Sequence, residues 1–139
     1  MIDKDKLKNF EKLPADIRRQ FSLLANQYGE KKKTAGIQNN FMDFVKHVWP
    51  DFIEGNHHKT IADKFDRLAQ GKIKRLIINM PPRHTKSEFG SYLLPAWMVG
   101  RNPKLKIIQS TNTTELSVRF GRKAKSLMDS PEYKQVFKT

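Results

Sequence analysis

The 139-residue chain contains no cysteine, which excludes disulfides and thiolate metal sites and fits a reducing compartment. It has no apolar run near the roughly 18–20 residues of a membrane span. Its start, Met1-Ile2-Asp3-Lys4-Asp5-Lys6, leads into no apolar core, so no secretory signal is expected. A soluble cytoplasmic protein, not secreted and with no membrane partner, is the default reading. Acid is scarce too: 14 acidic residues against 27 basic ones give a net charge of +13 at pH 7. That excess does not specify a fold, but it favours polyanionic partners: nucleic acid, nucleotide phosphates or an anionic surface. The plain alternative is a basic surface kept for solubility. Glycine is missing where it would matter most. Residues 75–88, Arg-Leu-Ile-Ile-Asn-Met-Pro-Pro-Arg-His-Thr-Lys-Ser-Glu, read as a buried strand running into a phosphate-binding loop whose two glycine positions hold Met80 and Thr85.

Along the chain, residues 1–28 read as helical in two pieces divided at Leu13-Pro14, with Ile17, Phe21, Leu24 and Tyr28 at helix spacing. Gly29 to Gly36, with Lys31-Lys32-Lys33 between, reads as an exposed, mobile linker. Phe41, Phe44, Val45, Val48 and Trp49 line one face of a helix that Pro50 stops. Ile61, Ala62, Phe65, Leu68 and Ala69 line another, with Gly71 as its stop. The continuous apolar run Leu76-Ile77-Ile78 predicts a strand covered on both faces. A helix over 88–99 follows, with Phe89, Leu93, Leu94 and Trp97 inward and a kink at Pro95. After the turn at Gly100-Arg101-Asn102-Pro103, residues 105–110 predict a second strand. Thr113 or Thr114 caps a helix with Leu116, Phe120, Ala124, Leu127 and Met128 on its inner face, and Ser130-Pro131 opens a last short one. This order predicts an α/β layered fold with parallel strands, and two strands alone do not make a stable parallel sheet, so more are expected beyond residue 139.

A phosphate loop needs inward backbone amides, a lysine for the β and γ phosphates and a hydroxyl for magnesium. Lys86 and Ser87 stand at the right end for both, and a helix starting near Thr85 turns its free N–H groups toward an anion. Thr85 is the awkward residue, because a β-branched side chain resists the positive φ that glycine allows. The bland alternative is a basic turn in which Thr85 or Ser87 merely caps a helix.

The stretch Asn79-Met80-Pro81-Pro82-Arg83-His84-Thr85-Lys86-Ser87-Glu88 resembles the variant Walker A segment of tailed-phage large terminase subunits, commonly spelled Pro-Pro-Arg-His-Gly-Lys-Ser-Glu. Residues 44–50 with His57-His58, 91–97 and 106–111 are similar to that family's lead-in, P-loop helix and following strand. The likeness covers about residues 41–137. It implies a partial ASCE-type P-loop ATPase domain over 37–139, lacking Walker B and nuclease parts, behind a helical extension and basic linker over 1–36. It implies ATP and Mg²⁺ held by Pro82, Arg83, His84, Thr85, Lys86, Ser87 and Glu88. Within that set Lys86 and Arg83 are the catalytic candidates and Ser87 the magnesium ligand. His57 and His58 fall in the region near the base, and as a pair they lack a third ligand for a metal. Implied partners are double-stranded DNA, the portal protein, the small terminase subunit and further copies in a ring, at the procapsid in the host cytoplasm.

Arg119, Arg122, Lys123 and Lys125 form a basic stripe suited to DNA phosphates, or to a plain solvated face. Arg101 and Arg119 are candidates for arginine fingers acting in trans. Thr113-Thr114-Glu115-Leu116 is similar to the Thr-Arg-Glu-Leu motif of superfamily 2 helicases, which makes a helicase-like fragment the second reading. The third is a small basic DNA- or partner-binding module without nucleotide chemistry. No apolar strand ending in acid follows Ile108, so the chain is expected to be an N-terminal piece that neither hydrolyses ATP efficiently nor cuts DNA.

Overall fold

A computed structural model describes residues 13–137. Their order is helical: α1 (Ala15–Asn39), α2 (Phe41–Val48), α3 (Asn56–Ala69), α4 (Lys86–Glu88), a π-helical turn (Phe89–Leu93), α5 (Leu94–Arg101), α6 (Thr114–Asp129) and α7 (Pro131–Val136). The first expected N-terminal helical piece falls on residues 1–12, outside the described residues. The chain divides into two compact units, Met1–Ala35 and Gly36–Thr139.

In the first unit, α1 is exposed from Ala15 to Lys33, the Ile17, Phe21, Leu24 and Tyr28 stripe included. The expected linker at 29–36 is corrected: both glycines and the three lysines lie within α1. Glu30, the lysines and Ala35 are good helix formers, and each glycine costs only about 1 kcal/mol against them.

The second unit is built around Phe41, which is fully buried. Its ring meets those of Phe65, Phe89 and Trp97 edge-on at 5.1, 5.4 and 5.5 Å, tying α2 to α3 and to the helical stretch after the loop. Such edge-to-face pairs add roughly 0.5–1.5 kcal/mol each beyond area burial. Local chemistry sets the helix ends. Asn40 caps α2 by accepting from the Asp43 N–H at 2.9 Å, while Asp66 of α3 accepts the Phe41 N–H at 2.8 Å. Thr113 caps α6 through the Leu116 N–H, and Ser130 caps α7 ahead of Pro131. Trp97 donates its indole N–H to the Ile37 carbonyl, and the buried Tyr133 donates to the Ala96 carbonyl at 2.8 Å.

The expected α/β fold with parallel strands is overturned: no β-strand occurs among the described residues. Both apolar runs miss the requirement of a strand, an adjacent backbone to complete a ladder. Leu76, Ile78 and Met80 pack one side of their segment against the helical core, while Ile77 is 87% exposed, so this run is covered on one face and not on two. Residues 105–111 do not pair with it, and Ile108 is 95% exposed. The first run alternates between packed and exposed side chains, and the surface it packs against is helical.

The helix expected over 88–99 starts two residues earlier and is interrupted as well. Backbone angles stay helical from Lys86 to Arg101, but the Leu94 N–H reaches back five residues to the Phe89 carbonyl. This widened turn lies immediately before Pro95, which has no N–H to continue the regular ladder. Phe89 and Leu93, at either end of the turn, are both buried.

Candidate functional site

Residues 81–88 leave the packed face of the 76–80 segment through two prolines, which bar a helix until the chain has turned. The loop then takes two left-handed residues, Arg83 at φ 65° and Thr85 at φ 56°, ψ 9°. Thr85 therefore adopts the geometry for which glycine is the usual residue. A non-glycine residue there costs on the order of 1–2 kcal/mol, and it persists only where neighbours hold it.

The neighbours are specific. His58, near the start of α3, places Nε2 2.6 Å from the Thr85 hydroxyl oxygen, 27 residues along the chain. Thr85 Oγ1 donates to the His84 carbonyl at 2.7 Å. The Gly55 N–H donates to His58 Nδ1 at 2.9 Å. The His58 ring is 6% exposed and packs against Phe52 and Phe89, at 4.8 and 5.2 Å between ring centres. Burial pulls its pKa below the ordinary imidazole value, and nearby His57 and His84 act in the same direction against Glu54. His57 lies 3.8 Å from His58 and 5.6 Å from His84, ring to ring, so three imidazoles cluster on one side of the loop.

Pro81, Pro82, Arg83, His84, Thr85, Lys86, Ser87 and Glu88 together line an open hollow of about 360 Å³. Lys86 Nζ bends over the loop to the Met80 carbonyl at 3.3 Å. His84 Nδ1 donates to the Pro82 carbonyl at 2.9 Å, closing the first half of the loop on itself. Arg83 and Ser87 are exposed, and Arg83 makes no ion pair among the described residues. The Glu88 carboxylate receives Lys123 Nζ at 3.0 and 3.2 Å, joining the loop's helical end to α6.

This last contact divides the basic stripe. Lys123 is held by Glu88 and lies 5.2 Å from the centre of the Tyr92 ring, whereas Arg119, Arg122 and Lys125 are exposed. Arg119, Arg122 and Lys123 line a second hollow of about 600 Å³ with Thr114, Glu115 and Val118. Arg101 stacks over Trp97 at 4.7 Å, which occupies its guanidinium within its own helix. Among the described residues no group of three or more acidic or histidine side chains is arranged to hold a metal ion. Trp49 packs against the core beside Phe52.

Sequence reasoning missed His58 as a partner of the loop. Nothing in its spacing signals Thr85, since the contact exists only after α3 and the loop have packed. Compared with protein families, with curated proteins and with solved structures, the chain matches none.

Proposed function

We propose that residues 81–88 bind the phosphates of a nucleoside triphosphate with Mg²⁺, and that the chain is the ATP-binding part of a DNA-packaging motor of the large-terminase kind. One observation carries the phosphate reading: a hollow lined by a single loop, with Lys86 resting on the carbonyl at the loop's own start. A lysine ammonium held by a neutral carbonyl gains by exchanging it for a phosphate oxygen, because the anionic oxygen adds the attraction of opposite charges to the hydrogen bond. Arg83 is available for further phosphate charge, and the Ser87 hydroxyl is the ligand this chain offers to magnesium. Magnesium usually retains several waters and takes phosphate oxygens for the rest, so one protein hydroxyl fits the ion. The sequence resemblance supports ATP as the nucleotide and double-stranded DNA as the polymer moved. On that reading exposed Arg119, Arg122 and Lys125 face DNA phosphates, and portal, small-subunit and ring contacts belong to the whole motor.

The test is titration of a fluorescent ATP analogue with and without Mg²⁺, on the wild type and on Lys86→Ala. Loss of one charge-assisted bond is worth roughly 1.5–3 kcal/mol, so the variant is expected to bind about tenfold more weakly or worse. Equal binding by the two proteins overturns the proposal. Glu88 is the one carboxylate lining the hollow and is paired with Lys123, so binding without efficient turnover is expected.

A further inference from the structure

The hydrogen bonds around His58 fix its proton. Nδ1 accepts the Gly55 N–H, so that nitrogen carries no hydrogen. A neutral imidazole has its single hydrogen on the other nitrogen, which makes Nε2–H the donor to Thr85 Oγ1. Thr85 accepts that hydrogen and passes its own to the His84 carbonyl. The chain Gly55 → His58 → Thr85 → His84 thus runs in one direction only, and it ends in the loop.

We propose that His58 is the positioning residue of the phosphate loop: as a neutral imidazole it holds Thr85 left-handed, and the loop keeps its phosphate-binding form only while that ring is neutral. The inference rests on the phosphate-binding reading of residues 81–88. A second proton has one place to go, Nδ1, where it would point at the Gly55 N–H and break the first link. The ring has no room to turn away, because Phe52 and Phe89 pack against it. The charged and titratable groups facing it are His57 on α3, His84 in the loop and Glu54 ahead of α3. The first two oppose a proton on His58 and the third favours one. Thr85 immediately precedes Lys86 and Ser87, so its backbone angles aim both phosphate-binding groups.

Two measurements test this. In the ligand-free protein, nitrogen NMR of labelled histidines is expected to show His58 with a bare Nδ1 at neutral pH. The Thr85 and Lys86 amide signals are expected to shift with the His58 titration as pH falls, and to lose that step in His58→Gln. An Nδ1–H tautomer, or amides indifferent to the His58 titration, overturns the proposal. The second measurement is binding of inorganic triphosphate with Mg²⁺ across pH. His58→Phe keeps an aromatic ring between Phe52 and Phe89 but offers Thr85 nothing, and it is expected to bind about tenfold more weakly. His58→Gln restores an N–H donor and is expected to recover most of that loss, with a flatter acid limb than the wild type. Wild-type affinity and pH profile in both variants sink the idea. Absence of triphosphate binding in every protein, with the NMR coupling intact, removes the phosphate reading and leaves His58 as the strut of the loop.

Discussion

Thr85 combines a backbone conformation suited to glycine with a side chain that glycine lacks. Its hydroxyl receives His58 and donates to His84, so the residue exchanges backbone strain for two hydrogen bonds. The balance can be measured. Thr85→Val keeps the branched shape but leaves the buried Nε2–H of His58 without an acceptor, which costs about 1–3 kcal/mol. Thr85→Ser keeps the hydroxyl and should lie within about 0.5 kcal/mol of the wild type. Urea unfolding of the three proteins checks both values. If Val matched Ser, the His58 contact would contribute nothing to the fold.

Helices α5 and α7 approach closely at one glycine. A Cβ on Gly100 would stand 2.6 Å from the Phe137 ring and 2.6 Å from the Tyr133 hydroxyl oxygen. Both rings are buried, so Gly100→Ala is expected to destabilise by about 1–3 kcal/mol, read as a lower denaturation midpoint. An unchanged midpoint would mean the rings yield. At this scale the sequence was legible where the cause is local. The apolar faces of α2, α3 and α6 and the caps at Thr113 and Ser130 follow from neighbours within a few residues. Ile77 and Ile108 show the opposite case: a β-prone run becomes a strand only when another backbone lies beside it, and short-range pattern is blind to that partner. Charge and glycine around the lysines at 31–33 predict exposure, which the structure shows, but exposure does not prevent a helix. In the loop at 81–88 the demand for positive φ at Thr85 was legible, while the phosphate role of Lys86 and Ser87 is a proposal. The loop's support by His58 was not legible, since it depends on tertiary packing.

Across the whole molecule, pH acts on a few buried or half-buried groups in opposite directions. His58 has a lowered pKa, so the unfolded chain takes up its proton first, and stability falls as pH drops below about 6.5. Asp66 works against this. Burial chiefly raises its pKa, so the folded state holds that proton more tightly, and acid through the carboxylate range favours the fold. Two tyrosines act on the alkaline side: burial raises Tyr92 and pushes the Tyr133 hydroxyl up to about 12, so the unfolded phenols ionise first and Tyr133 loses its stability between about pH 10 and 12. Two units correspond to about 2–3 kcal/mol. Tyr133→Phe should be less stable at neutral pH, having lost its bond to Ala96, yet show a smaller alkaline decline, the part due to Tyr92, when unfolding is followed across pH. A decline of equal size in the variant would assign it to other groups. The turn at Phe89–Leu93 has a consequence of another kind, one of phase. An α-helix advances about 100° per residue, so the additional residue in that turn sets the compass bearing of Lys86 relative to Trp97. Removing one residue between them would swing the loop by roughly that angle about the helix axis. Thr85 would then turn away from His58 and Glu88 away from Lys123 together, and the bearing of the hollow would be lost while every side chain that lines it remained.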